Sequence, residues 1–126
     1  MRAVSIAYAA VALAIAASGC ARHDEPLTLA SDTTRGVYDA DYGKTTEHFD
    51  AALKFQVTKP SLSDLAAKMH ALGAYRGLKQ TGSDPDKRRY EFEATFDKGA
   101  MMVEMRLDPQ GLIGAYRVVP EVAAAR

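Results

Sequence analysis

Few side chains in this sequence can do chemistry, and the one that stands out is a thiol. Cys20 is the only cysteine among the 126 residues. A single thiol can attack an electrophile or accept an acyl group. It excludes an internal disulfide, a CxxC redox pair and a multi-cysteine zinc site. Three small residues, Ala17-Ser18-Gly19, precede it, and small side chains before a cut suit a signal peptidase. The histidines are His23, His48 and His70. His23 sits beside Asp24 and Glu25 and is expected in a solvated linker. His48 and His70 are expected on separate helices, and two imidazoles alone make a weak metal site. There is no nucleophile elbow, P-loop, HExxH, pair of histidines at i, i+4 or glycine-rich dinucleotide fingerprint. No catalytic residue and no metal site is therefore expected.

The surroundings of Cys20 sharpen its role. Met1-Arg2 is a short positive start, and Ala3 to Ala17 is apolar apart from Ser5 and Tyr8. That stretch has the length of a signal h-region and falls short of the ~20 residues that span a bilayer. Arg22, His23, Asp24 and Glu25 follow at once, which argues against an uncleaved anchor. Ala17-Ser18-Gly19-Cys20 resembles the lipobox of bacterial lipoproteins, with Ala17 where leucine is usual. The resemblance implies that residues 1–19 are a signal peptide. It also implies that Cys20 becomes the first residue and carries a covalent lipid, the only prosthetic group expected. Several acyl chains would hold the chain firmly, at ~0.8 kcal/mol per buried CH₂. Ala21 in place of aspartate implies, by the same resemblance, sorting to the outer membrane, facing the periplasm of a Gram-negative bacterium. The bland alternative is an ordinary secreted protein cut nearby, with Cys20 incidental.

Length and composition bound the rest. The chain is at most one domain, with 48% hydrophobic and 25% charged residues, ordinary for a globular protein. Sixteen basic and sixteen acidic residues balance, so a broadly basic nucleic-acid binder is excluded as the default and no nucleic-acid partner is expected. Trimming residues 1–19 removes Arg2 and no acid, leaving a balance of −1.

The elements follow from periodicity. Residues 20–34 are small and polar after the cysteine and are expected to be the lipidated residue and a flexible tether. A single α+β domain is expected over 35–120 and a disordered tail over 121–126. Residues 35–58 have helical spacing interrupted at Gly43, with Phe49, Ala52, Leu53 and Val57 as one stripe and Thr45 or Thr46 as a cap. Lys59-Pro60 should end that run. Ser61-Leu62-Ser63-Asp64 resembles a capping box opening a helix over 62–72, with Gly73 as its stop. From Ala74 the period becomes two. Strands are expected over Ala74–Gln80, Tyr90–Phe96, Met101–Leu107 and Leu112–Val119, the last with Leu112, Gly114, Tyr116 and Val118 on one face. A polar loop covers 81–86, Asp97-Lys98-Gly99 makes a hairpin with Gly99 left-handed, and Asp108-Pro109-Gln110-Gly111 makes a type I turn. Helices before strands give N-terminal helices packed on one face of a four-stranded antiparallel meander sheet.

Leu62 to Pro120 is similar to small domains of unknown function with an NTF2-like or cystatin-like fold, found in secreted bacterial proteins. The likeness rests on the capped helix ending Leu72-Gly73-Ala74-Tyr75, the strand Tyr90–Phe96 and Asp97-Lys98-Gly99. It continues through Met101–Leu107, Asp108-Pro109-Gln110-Gly111-Leu112-Ile113-Gly114 and the closing Val118-Val119-Pro120. Met69 stands where those helices often carry a tryptophan, and this chain has none. The resemblance implies a helix wrapped by a curved sheet, with a pocket between them as one option, and no known reaction.

Two surfaces remain as candidates. Tyr90, Phe92, Phe96, Met101, Val103 and Met105 form an apolar face, read first as core under the helices and second as a ligand pocket or partner surface. Glu91, Glu93, Glu104 and Arg106 lie on the opposite face and are expected to form exposed cross-strand pairs. Lys87-Arg88-Arg89 is expected as a solvated strand start, with anionic lipid headgroups as its functional option. The expected role is a non-enzymatic binding or accessory lipoprotein, attached to the membrane through its lipid, with a protein partner in the periplasm. The rivals are an immunity-type lipoprotein that binds a toxin and a small-ligand or lipid carrier.

Overall fold

The computed structural model describes residues 25–120; the expected signal peptide 1–19, Cys20, residues 21–24 and the expected tail 121–126 lie outside the described residues. The order is α1 (Pro26–Tyr38), α2 (Tyr42–Thr46), α3 (Ala51–Gln56), α4 (Lys59–Ala71), β1 (Tyr75–Asp84), β2 (Arg89–Phe96), β3 (Gly99–Leu107) and β4 (Ile113–Pro120), with a 3-10 turn at Pro85–Lys87 between β1 and β2. The strands form one antiparallel sheet in the order β1-β2-β3-β4. The fold is thus α+β, helices first and a four-stranded meander after. No helix of the described residues is long and apolar enough to cross a membrane.

The expected tether over 20–34 is corrected from Pro26 onward. Those residues are the first nine of α1, and Leu29, Ala30, Thr33, Thr34 and Val37 are buried. They form a helical stripe at i, i+1, i+4, i+5 and i+8. Two members of the stripe are threonines, so hydropathy hides it. Thr34 Oγ1 makes a 2.7 Å hydrogen bond with the Tyr116 hydroxyl, which offsets the desolvation of both groups. Among the described residues the buried hydroxyls of Thr33 and Thr45 find no hydrogen-bond partner.

Other boundaries moved for capping reasons. The caps of α2 and α3 are Asp41 and Asp50, whose carboxylates accept from the backbone N–H of Lys44 and Leu53, rather than Thr45 or Thr46, which lie inside α2 and are buried. Gly43 does not break a helix; it lies in α2. Helix α4 starts three residues earlier than expected, capped by a reciprocal Thr58–Ser61 box. Pro60 sits in its first turn, where the missing N–H costs nothing. Gly73 stops α4 at φ +97°, as the stop signal requires.

In the sheet, Phe92, Ala94, Phe96, Met101, Val103, Met105 and Ile113 are buried and meet Leu29, Ala30, Val37, Phe49, Leu62 and Met69 from the helices. Strand β1 runs through the expected loop to Asp84, with irregularities between Tyr75 and Gly77 and between Gln80 and Gly82. At the β2–β3 hairpin, Phe96 pairs with Gly99 and Gly99 is not left-handed. A Cβ there would make an ordinary contact 3.4 Å from Leu72 Cδ2, so the space does not require glycine. The turn at 108–111 forms as expected, with Gly111 N–H donating to Asp108 O at 2.9 Å. In β4, Tyr116 and Val118 pair with Met105 and Val103, while Ile113 pairs with Leu107 past a register shift at Arg106/Leu107. That shift buries Ile113 and leaves Leu112 exposed, reversing the expected facing of the strand's first residues.

The meander gives the domain two ends. The β1–β2 and β3–β4 connections share one end, and Pro26 joins them, lining one hollow with Arg88, Leu107, Asp108, Pro109 and Gly111. The β2–β3 hairpin marks the other end. There Lys98 N–H donates to Leu72 O at 2.8 Å and Tyr38 donates to Gly73 O at 3.0 Å.

Candidate functional site: the uncovered sheet face

Helices cover one face of the sheet, and the other face carries the charges. Alternation along the strands places Arg89, Glu91 and Glu93 opposite in direction to Tyr90, Phe92 and Ala94. Pairing then lines up rows across three strands: Arg89, Arg106 and Ala115; Glu91, Glu104 and Arg117; Glu93, Met102 and Val119. Two rows each hold one ion pair, although Glu91 faces Glu104 without a cation of its own within 4.0 Å among the described residues. Arg117 Nε donates to Glu104 Oε1 at 3.0 Å, and Lys79 Nζ stands 3.5 Å from Glu93. These are exposed pairs worth ~0–1 kcal/mol. Of the residues expected to form cross-strand pairs, Glu93 and Glu104 do so, with Lys79 and Arg117 as the cations; among the described residues Glu91 and Arg106 have no ion pair within 4.0 Å, because in register each faces a like charge.

The first row is different. Arg89 and Arg106 face one another in register, an arrangement that destabilises a sheet when uncompensated. Among the described residues neither has a carboxylate within 4.0 Å. Arg106 Nη2 donates weakly to Gly114 O at 3.5 Å. Gly114 is small where both Arg106 and the Asp50 carboxylate crowd it: a Cβ would stand 3.3 Å from Arg106 Nη1 and 3.1 Å from Asp50 Oδ2.

Helix α3 forms the rim of this face. It is docked at the β4 edge by a parallel bridge from Phe49 to Ile113, in which Ile113 N–H donates to His48 O at 2.8 Å and Asp50 N–H to Ile113 O at 2.9 Å. Leu53 and Gln56 then border an open hollow of about 640 Å³ with Arg89, Glu91, Glu104, Arg106 and Arg117. On the same short helix Phe55 is 91% exposed.

The six residues of the expected apolar face are distributed unequally. Phe92, Phe96, Met101, Val103 and Met105 are buried in the core, and Tyr90 is half-buried. Tyr90 and Met105 also border the outer hollow. Cys20 lies outside the described residues.

The histidines do not meet. His48 occupies the turn after α2 rather than a helix, 3.8 Å from Asp32 and 4.0 Å from Glu47. His70 stacks on Tyr38 with ring centroids 4.1 Å apart, its Nε2 2.7 Å from Tyr38 O. Among the described residues no group of three His, Cys, Asp or Glu is arranged to hold a metal ion. Three titrations are perturbed, none of them by a catalytic arrangement. Burial pushes Tyr116 and Tyr75 above the usual tyrosine range, and Arg35, whose guanidinium lies 4.8 Å from the Tyr75 ring, opposes the shift in Tyr75. The Ala74 N–H, and then Arg76, hold Asp97 below the usual carboxylate range.

The sequence singles out Arg89 and Arg106 separately, one in a basic run and one among the polar-face residues, but neither their opposition nor Phe55. Two signals existed: Phe55 falls off the Phe49–Leu53–Val57 stripe, and Arg89 and Arg106 both fall on polar positions of their strands. Their opposition needs the register. No family model, curated protein or solved structure matches this chain.

Proposed function

We propose that the protein is a lipid-anchored, non-catalytic binding module of the bacterial envelope that takes a protein partner on the uncovered sheet face. In this reading Cys20 carries the lipid, the anchor is in the outer membrane, and the domain faces the periplasm. The fold is read as a variant of the NTF2-like or cystatin-like arrangement, a reading supported by helices preceding a four-stranded meander.

One observation carries the binding proposal. Arg89 and Arg106 stand opposed without a carboxylate within 4.0 Å among the described residues, in the hollow bordered by the helix that bears Phe55. A partner carrying an acidic side chain next to an apolar patch would satisfy the arginines through charge-assisted bonds and cover the phenylalanine. Neutralisation of a toxin in the periplasm is one role of this kind. A lipid or small-ligand carrier draws no support from the inward face, where Phe92, Ala94 and Val103 are fully buried against the helices. Glu104 is held by Arg117, which favours a structural pair over proton transfer.

The test is site-specific photo-crosslinking in intact cells from position 55, with position 98 at the far hairpin as control. A discrete protein adduct at 55, absent at 98 and lost with Arg89→Glu/Arg106→Glu, is expected. Identical adducts at both positions, or none at 55, would refute the proposal.

A further inference from the structure

The start of α1 sets how far the domain can stand from an anchor at Cys20. Six Cα steps separate Cys20 from Pro26, and a fully extended chain spans at most ~3.6 Å per residue, or ~20 Å in all. Beyond Pro26 the chain has no slack, because Leu29 and Ala30, in the first turns of α1, are already buried. The domain is longer than this leash: the seven Cα steps of an eight-residue antiparallel strand such as β2 rise ~24 Å at ~3.4 Å per residue. A lead this short keeps Pro26 within ~20 Å of the lipid and excludes the inverted orientation, in which the β2–β3 hairpin would rest on it.

The end that carries Pro26 has the composition of a lipid contact. Of the three large hydrophobic side chains exposed among the described residues, two belong to it: Leu27 at 38% and Leu112 at 40%. Pro26, Arg88 and Pro109 share its hollow of about 260 Å³. Arg88 stands there in the left-handed region at φ +55°, a conformation that costs a non-glycine residue ~1–2 kcal/mol. It is fixed by its N–H donating to Pro85 O and its carbonyl accepting from Leu107 N–H, both at 3.0 Å. Asp84 and Asp86 flank Lys87-Arg88-Arg89 in sequence, so this end carries no large net charge. Its attraction to lipid must come from apolar contact and from single guanidinium–phosphate bonds.

We propose that the end formed by Pro26–Leu27, Lys87–Arg88 and Pro109–Leu112 rests on the phospholipid surface. Leu27 and Leu112 enter the headgroup boundary and Arg88 binds lipid phosphate. The proposal rests on lipidation of Cys20. It deepens the binding reading, because it holds the uncovered sheet face beside the membrane and limits partners to those that reach the bilayer surface.

The chain has no tryptophan, so single replacements are clean depth probes. The full lipidated chain bearing Leu27→Trp, Leu112→Trp or Lys98→Trp is reconstituted into uncharged phosphatidylcholine vesicles containing brominated acyl chains. Flotation reads anchoring and tryptophan quenching reads orientation. Flotation with strong quenching at 27 and 112 and none at 98 is expected, and it should persist in high salt. Arg88→Glu should reduce the quenching without preventing flotation. Chain that floats but is quenched equally at 27, 112 and 98, or at none, overturns the orientation alone. Chain that fails to float, or a Cys20→Ser chain that floats equally well, overturns the anchor and the orientation with it.

Discussion

Phe92 and Phe55 are the same residue type in opposite surroundings, and replacing each by alanine tests the layout of the domain. Phe92 is fully buried on a central strand, between Gln80 of β1 and Val103 of β3. A buried phenylalanine side chain contributes ~1.5–3 kcal/mol through the apolar surface it removes from water. The void left among Met69, Val103 and their neighbours adds to this, bringing Phe92→Ala to ~3–5 kcal/mol. In a domain of this size each kcal/mol lowers the melting temperature by ~4–8 °C, so a fall of at least ~12 °C is expected. Phe55 is 91% exposed and its removal should change stability by less than ~0.5 kcal/mol. Urea unfolding followed by far-ultraviolet circular dichroism reads both, and an unchanged m value would show that the denatured state is unaffected. A loss below ~1 kcal/mol for Phe92→Ala, or above ~1.5 kcal/mol for Phe55→Ala, would refute the assignment of inner and outer faces.

Gly36→Ala tests the α1–α2 contact. An added Cβ would stand 2.8 Å from Thr45 N and 3.0 Å from Lys44 C, both backbone atoms, so overpacking of ~1–3 kcal/mol should exceed the ~1 kcal/mol gain in helix propensity; a rise in melting temperature would contradict the contact. Tyr116→Phe should cost ~1–3 kcal/mol by leaving the buried Thr34 hydroxyl unpaired. Because burial raises the Tyr116 pKa above its ordinary 10.0, the native state keeps a proton that the unfolded chain releases. Stability from this source is complete below pH 10.0 and lost as pH rises beyond it. Urea midpoints across that range should fall less steeply in Tyr116→Phe than in the parent, and parallel falls would contradict the assignment.

The sequence by itself determined what depends on local periodicity and turn chemistry. Alternation in β2 and β3, the helix stopping at Gly73 and the Asp108–Gly111 turn were legible because each signal lies within a few neighbouring residues. Tertiary structure decided where polarity and location disagree. Pro26–Thr34 reads as a tether because two of its core positions are threonines, and only the approach of Tyr116 makes burying Thr34 affordable. Arg89 and Arg106 are 17 residues apart, and nothing local says they oppose each other; the hairpin register does. Leu112 and Ile113 exchanged roles because one register shift rotates the start of β4, and a one-residue slip turns every side chain to the other face. The uncovered charged face and the end that carries Pro26 are therefore properties of register and packing, which combine residues that no window of sequence contains.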